Sequence, residues 1–176
     1  MITPIIESER LLLRPLKIED ANTIFERWTS DTRVTKFMSY NTHQSVKDTK
    51  EWLTADIAAN QGDKTYCWTF ELKENHYLFG SGGLYFNEDK NLFELGYNIM
   101  YDFWNKGYTS EAAGAMIDFA KRQLGVSALY AHHAVENPAS GRVMEKNGFV
   151  HNGYGTITSY DGKRTYKAKE YILKFR

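Results

Sequence analysis

A glycine turn at Gly107 joins a strand-like run to a helix-like run within residues 104–112. The first N–H groups of a helix have no partners inside it, and the helix dipole adds partial positive charge there. Such a turn is therefore suited to hold a phosphate or a pyrophosphate. The alternative is a plain strand-to-helix connection capped by Thr109 or Ser110. The candidate binding residues are Asn105, Lys106, Gly107, Tyr108, Thr109 and Ser110.

Glu94 is the second candidate for chemistry, because it is a carboxylate inside the apolar run of residues 92–97. Partial burial would raise its pKa toward the range in which a carboxylate exchanges protons near neutral pH. Such a group could take a proton from an amine, directly or through water, and so free the amine for attack. The alternative is a structural glutamate that is hydrogen-bonded or faces a sheet edge.

Other residues whose types could take part in chemistry are expected to have structural roles. His132 and His133 are neighbours on a predicted strand and face opposite sides of the sheet, so they cannot act as a pair, although one of them could line a substrate cleft. No cysteine or carboxylate accompanies them at metal-ligand spacing, and we expect no metal site. Cys67, the single cysteine, is expected to be a small buried side chain. The glycines of residues 80–83 lack the Lys-Ser/Thr of a P-loop and predict a close-packed strand.

The composition indicates a soluble protein without a nucleic-acid partner. The chain has 176 residues, of which 42% are hydrophobic, so residues 1–176 are expected to form a single domain. Lys and Arg together number 22, as do Asp and Glu, and a general nucleic-acid binder normally has a basic excess. No apolar run approaches the roughly 18 residues of a membrane span, and the first residues lack a signal-peptide core. We therefore expect a cytoplasmic location.

The order of predicted elements is β-α-α-β-β-β-α-β-α-β-β. Strands are predicted at residues 11–16, 65–72, 77–86, 92–101, 128–135, 154–160 and 164–175. Helices are predicted from about Ile18, from Ser45 as N-cap, from the glycine turn to Leu124, and from Asn137 to Gly148. The dipeptide Asp161-Gly162 predicts a two-residue hairpin turn. This order indicates an α/β fold with a mixed, mostly antiparallel central sheet and helices on both faces.

Four segments in this order resemble the GNAT acetyltransferase superfamily, namely residues 7–16, 94–97, 104–112 and 137–149. More narrowly, they resemble its branch of ribosomal-protein N-terminal acetyltransferases, the RimJ/RimL type. The resemblance implies the GNAT-like acyl-CoA N-acyltransferase fold and acetyl-CoA as the acetyl donor, without a metal. It implies direct transfer to a primary amine, with a protein N-terminus favoured and a small amine or polyamine as other acceptors.

The phosphate turn of this superfamily reads Gln/Arg-x-x-Gly-x-Gly/Ala. The corresponding residues here are Trp104, Gly107 and Thr109, so only the central glycine keeps the general pattern. Tryptophan at the first position is familiar in this branch. Because the binding donors are main-chain N–H groups, we expect the side-chain changes to be tolerated as long as Gly107 permits the turn.

The resemblance also assigns roles around the turn. The preceding strand is implied to separate from its parallel neighbour, so that pantetheine binds the main chain of Ile99, Met100 and Tyr101. Many relatives protonate the leaving thiolate with a tyrosine, but Met144 is at the corresponding place and cannot donate. Ser140 matches the serine of the ribosomal-type enzymes and is the candidate general acid, with water as the alternative. Asn137 is a candidate for the pantetheine arm, although helix capping competes for its side chain.

Three hypotheses follow for the function. The first is an N-acetyltransferase, as a monomer or a homodimer, whose acceptor enters between residues 37–40 and the closing hairpin, with Tyr154 and Tyr160 opposite. In this hypothesis the catalytic groups are Glu94 and Ser140. The second is a non-catalytic CoA-binding or sensing module on the same fold. The third is an unrelated nucleotide-binding α/β enzyme, which ATP or NAD would stabilise more than CoA.

Overall fold

The computed structural model describes residues 2–175 and contains one eight-stranded sheet in the order β1-β2-β3-β4-β5-β6-β8-β7. The strands are β1 Ile6–Glu7, β2 Leu11–Pro15, β3 Thr65–Leu72, β4 Leu78–Asn87, β5 Leu92–Ile99, β6 Ala128–Ala134, β7 Val150–Thr158 and β8 Thr165–Lys174. All neighbouring strands pair antiparallel except β5 and β6, which are parallel. The predicted mixed, mostly antiparallel sheet is confirmed.

Five α-helices accompany the sheet in the described part of the chain. They are α1 Ala21–Ile24, α2 Thr32–Thr35, α3 Val46–Ala59, α4 Tyr108–Phe119 and α5 Pro138–Lys146. Wider π-helical turns continue α1 over Phe25–Thr29 and α4 over Ala120–Leu124. As predicted, Ser45 and Asp48 form a capping box at the start of α3, and Gly125 ends the helical run after α4 with φ +65°.

Helices cover both faces of the sheet because its central strands carry apolar residues on both sides. Adjacent residues of β3 illustrate this: Trp68 packs in the cluster with α4, whereas Cys67 packs in the cluster with α1 and α3. Cys67 is buried, as predicted. On β4, a Cβ at Gly82 would lie 2.6 Å from the carbonyl oxygen of Gly96, so these strands approach too closely for a side chain.

Several predicted bounds were wrong where tertiary contacts extend short elements. The sequence prediction missed β1 and α2, which have two and four residues. Strand β1 is defined only by pairing with β2, and α2 by an Asp31 side chain that accepts from the Arg33 N–H at 2.9 Å. Strand β7 begins at Val150 rather than at residue 154, because β8 continues to pair with it.

The closing hairpin has a wider turn than the predicted two residues. The Ser159 N–H donates to the Arg164 carbonyl at 2.9 Å, and Gly162, with φ +71°, lies within the loop. The Asp161 carboxylate accepts from the Ser159 hydroxyl at 2.6 Å and from the Lys163 N–H at 3.0 Å. These side-chain bonds stabilise the longer loop. Within residues 2–175, no helix is long and apolar enough to cross a membrane.

Candidate active site

The predicted phosphate turn at Gly107 has the left-handed backbone conformation that a glycine permits. Gly107 is the N-cap residue of α4 and has φ +82°, a left-handed conformation that other residues adopt at a cost. A Cβ there would meet nothing closer than the Arg10 guanidinium at 3.6 Å, so the backbone angle, rather than space, requires glycine. The first N–H groups of α4 have no acceptors within the helix, and Gly107, Thr109 and Ser110 line the adjoining cavity.

Glu111, an acidic residue in the first turn of α4, is held away from this site. Its carboxylate accepts from the Ser8 hydroxyl, the Arg10 N–H and the Arg10 guanidinium, each at 2.7 Å. This confirms the expected orientation, because the negative charge is neutralised beside β2 and does not repel an anion at Gly107.

A cavity of about 720 Å³ begins at this turn and continues between β5 and α5 toward α2. It is lined by the predicted residues Ile99, Tyr101, Asn105, Gly107, Thr109, Ser110, Asn137 and Ser140. Four cationic side chains and one acidic side chain also line it: Arg33, Lys36, Arg142, Lys146 and Glu136. This positive excess suits a ligand with several phosphate charges. The predicted residues Glu94, Met100, Lys106 and Tyr108 are not among those that line the cavity.

Strands β5 and β6 separate beside this cavity. Their parallel pairing consists of Phe93 with Leu129 and Glu94 with Tyr130, and the register continues no further along β5. Glu94 therefore lies at the point where the two strands diverge. A separation at this place leaves main-chain groups of β5 free to bind an extended ligand as a neighbouring strand would.

The main chain of Met100, which was predicted to bind pantetheine, is bonded to other parts of the protein. Its N–H donates to the Phe79 carbonyl at 2.8 Å, and its carbonyl accepts from the Phe103 N–H at 3.0 Å, so both groups are engaged. Main-chain groups alternate in direction along a strand, so Ile99 and Tyr97 face the gap instead. The Ile99 carbonyl accepts from the Trp104 indole N–H at 2.8 Å, which leaves the Ile99 N–H toward the gap.

Trp104 thus has a structural role at the first position of the turn motif, since its indole fixes the end of β5. Its ring also lies 4.9 Å from that of Tyr101, and the Arg33 guanidinium lies 3.9 Å from the Tyr101 ring centre. The neighbouring Tyr108 ring packs 4.3 Å from the Arg10 guanidinium, away from the cavity. The predicted contribution of Tyr108 is therefore limited to its main chain.

Ser140 lies at the cavity wall beside a tyrosine that the sequence argument did not select. The Tyr97 hydroxyl is 3.1 Å from the Ser140 carbonyl oxygen, to which it donates, and 3.2 Å from Ser140 Oγ. Burial raises the pKa of Tyr97 to about 12, so its hydroxyl keeps its proton at neutral pH. Strand alternation from Leu95, a core residue, could have placed Tyr97 on the face toward α5. Asn137 makes no side-chain capping bond, which leaves its amide free toward the cavity.

The surroundings of Glu94 differ from those expected. Burial does raise its pKa, but a hydrogen bond from His132, the charge of His132 and a hydrogen bond from Asn87 outweigh burial and lower the pKa overall. The His132 Nε2 lies 3.1 Å from Glu94 Oε1, and the Asn87 amide donates to Glu94 Oε2 at 2.9 Å. The expectation of a raised pKa was wrong because the sequence did not reveal these partners.

The two adjacent histidines face opposite sides of the sheet, as predicted. His133 lies against α5, where its Nε2 is 3.2 Å from the Tyr171 hydroxyl. His132 faces Glu94 on the other side. Within residues 2–175, no group of three His, Cys, Asp or Glu side chains is placed to hold a metal ion.

The closing hairpin and the chain after α2, which were expected to leave an acceptor entrance between them, are bonded directly to each other. The Arg164 guanidinium donates to the carbonyls of Lys36 and Tyr40, each at 2.9 Å, and to that of Met38 at 3.2 Å. These bonds fix residues 36–40 against the hairpin. Tyr160, at the hairpin turn, has an exposed fraction of 86%. On the same side of the sheet, the Tyr40 hydroxyl donates to the Asn98 amide oxygen at 3.2 Å.

Comparisons with known proteins agree with this arrangement. The chain matches the acetyltransferase (GNAT) domain family over residues 10–150. An uncharacterised N-acetyltransferase of Bacillus subtilis, YoaA, is 27% identical over 171 residues, which cover 97% of this chain and 96% of that protein. The structure of a GNAT-family acetyltransferase from Bacillus anthracis has a TM-score of 0.83 and 26% identity, covering 97% of this chain and 98% of the other.

A second similar structure, at lower sequence identity, shows the fold alone. It is an acetyltransferase from Salmonella typhimurium described as modifying the N-terminal serine of ribosomal protein L7/L12. Its TM-score is 0.84 at 16% identity, and the match covers 98% of this chain and all of the other.

The separated parallel strands and the glycine-capped helix thus belong to an acetyltransferase domain. The chain belongs to the GNAT acetyltransferase family. It is an acetyl-CoA-dependent acetyltransferase.

Proposed function

We propose that residues 1–176 form a single N-acetyltransferase domain that transfers acetyl from acetyl-CoA to a primary amine, with a protein N-terminus as the favoured acceptor. The observation that carries this proposal is the position of Glu94, where β5 and β6 diverge beside a cationic cavity. The N-terminal amine is favoured because a structurally similar protein is described as modifying an N-terminal serine.

The residues that would hold acetyl-CoA fit its chemistry. Main-chain N–H groups after Gly107 would bind the pyrophosphate, with Arg33, Arg142 and Lys146 contributing positive charge nearby. Ile99 and Asn137 would bind the pantetheine arm. When bound, acetyl-CoA supplies an acetyl thioester whose carbonyl carbon accepts the amine.

Glu94 and Ser140 would handle the protons of the reaction. An alkyl amine is mostly protonated near neutral pH, and the ionised Glu94 carboxylate would accept a proton from it, with a lowered pKa that makes it a weaker base than an ordinary glutamate. The Ser140 hydroxyl, hydrogen-bonded to Tyr97, would give a proton to the departing thiolate. Attack is direct, without an acyl-enzyme.

An acceptor screen tests the proposal. The enzyme is incubated with acetyl-CoA and peptides carrying free or blocked N-termini, and with polyamines in parallel, while released thiol and product mass are recorded. We expect release only with free N-termini. Acetylation of polyamines but not of peptides would overturn the acceptor class, and binding of CoA without release for any amine would overturn amine acetylation.

The Ser140→Ala variant should lower kcat about tenfold, a small part of what general acid–base catalysis provides, without changing KM for the acceptor. The reason is that the thiolate would then leave without a positioned proton donor. The measurement is the initial rate of thiol release. Ser127→Ala, at an exposed serine before β6, is the matched control. An unchanged kcat for Ser140→Ala would assign the proton to water.

A further inference from the structure

Asp56 lies in the last turn of α3, where its negative charge is unfavourable. The helix ends at Ala59, and its last turn contains no basic residue. The carbonyl end of a helix carries partial negative charge, so a carboxylate there is repelled rather than stabilised. Proteins break such local rules mainly at functional sites, which makes Asp56 a candidate for binding a ligand.

The contacts of Asp56 do not compensate this charge. The carboxylate is half-buried, and the Cys67 thiol, a weak donor, contacts its Oδ2 at 3.8 Å. Burial raises the pKa of Asp56, and hydrogen bonds from the Trp52 indole and the Cys67 thiol offset this effect only in part. Both donors are neutral, so within residues 2–175 no cation stabilises the ionised form. A carboxylate withdrawn from water without a cationic partner is destabilising in the free protein.

A tyrosine side chain connects Asp56 to Glu94. Tyr85 is paired directly with Glu94 across β4 and β5, so the two side chains lie on the same face of the sheet. The Tyr85 ring extends over Gly83, where an added Cβ would lie 3.1 Å from the ring atom Cζ. The same Cβ would lie 3.0 Å from Cys67 Sγ. The tip of the Tyr85 ring is therefore beside the thiol that contacts Asp56.

Two further aromatic rings lie on this face of the sheet. Trp52, one helical turn before Asp56, stacks on Tyr40, with ring centres 6.4 Å apart and an interplanar angle of 19°. The Tyr40 hydroxyl donates to Asn98, which lies on the same face of β5 as Glu94. A carboxylate among tryptophan and tyrosine rings is suited to an alkylammonium group, because the ring faces attract a cation and the carboxylate neutralises it.

We propose that Asp56 binds a second, positively charged alkylammonium group of the acceptor while the reacting amine lies at Glu94. This inference rests on the proposed transfer of acetyl to an amine at Glu94. The Tyr85 side chain sets the separation of the two carboxylates, which fits two nitrogens joined by a short alkyl chain. A peptide that begins with lysine and a linear diamine both have this chemistry. Asp56 thus determines acceptor specificity and takes no part in proton transfer.

The Asp56→Asn variant tests this subsite with two pairs of acceptors. One pair is a peptide that begins with lysine and the same peptide beginning with norleucine, and the other is terminal diaminopentane and pentylamine. In the wild type, the dicationic member of at least one pair should have the lower KM. Asp56→Asn should raise that KM about tenfold to a hundredfold, the effect of losing a hydrogen bond between charged groups. The kcat values and the KM of the monocationic acceptors should stay unchanged, and the pair that responds identifies the source of the second charge.

The stability of the same variant distinguishes binding from a structural role. Because nothing in the free protein neutralises Asp56, the Tm of Asp56→Asn should equal or exceed that of the wild type. Asp63→Asn is the matched control, at an exposed aspartate in the turn after α3, and should change neither Tm nor KM. An unchanged KM for both dicationic acceptors would overturn the subsite. A variant that does not fold would assign Asp56 to the fold and would overturn it as well.

Thermal stabilisation in the absence of acetyl-CoA provides a test that needs no transfer. At equal ionic strength, a dicationic acceptor should raise the Tm of the wild type more than its monocationic counterpart, and this difference should vanish in Asp56→Asn. If the difference is present but no amine is acetylated, the subsite stands and the proposed transfer fails. If amines are acetylated without any preference in KM or Tm that depends on Asp56, the transfer stands and the subsite fails.

Discussion

A Glu94→Gln variant should lose about a hundredfold in kcat at neutral pH, the lower end of what a positioned general base contributes. The glutamine side chain has nearly the same shape, but its amide cannot accept a proton from the amine. At about pH 9 a larger fraction of the acceptor is already unprotonated, so the deficit should shrink there. The measurement is the initial rate of thiol release from about pH 6 to about pH 9.

The lowered pKa of Glu94 determines how the rate of the wild-type enzyme should depend on pH. Because His132 and Asn87 favour the ionised carboxylate, the wild-type rate should decline only as the pH falls below the usual range of a glutamate. Glu88→Gln is the matched control, since Glu88 is a carboxylate in the β4–β5 turn with an exposed fraction of 68%. Equal rates for Glu94→Gln and wild type at every pH would make Glu94 structural.

A Gly107→Val variant should bind CoA at least about a hundredfold more weakly. Valine resists the φ of +82°, so the turn must change and the N–H groups of the first helical turn lose their direction. Hydrogen bonds to charged groups contribute about 1.5–3 kcal/mol each, so two lost bonds account for the expected change. Calorimetric titration with CoA measures it.

The Gly125→Val variant is the control that distinguishes a loss of CoA binding in Gly107→Val from general damage to the fold. Gly125 ends the same helical run with φ +65°, and a Cβ added there would meet no atom within 4 Å, so its replacement imposes comparable backbone strain far from the cavity. Each variant should lose about 1–2 kcal/mol of stability, visible as a lower Tm. Only Gly107→Val should lose CoA affinity. Wild-type affinity in Gly107→Val would contradict the phosphate turn.

Local sequence signals predicted the long elements and the turn. The helical period and the Ser45 cap placed α3, and Gly125 placed the end of the helical run after α4. The glycine turn was recognisable because only a few residue types adopt a positive φ, and Glu111 was expected to point away on electrostatic grounds. Short elements such as β1 were not predicted, because pairing with a neighbouring strand, rather than the propensity of their own residues, defines them.

The sequence by itself determined the family, the order of elements and the position of the anion-binding turn, since these depend on residues adjacent in the chain. Only the tertiary structure decided which side chains meet across strands. It paired Glu94 with His132, brought Tyr97 to Ser140 and engaged the main chain of Met100 with β4. These contacts join residues distant in sequence, and their distances depend on the register and divergence of strands, which no local pattern specifies.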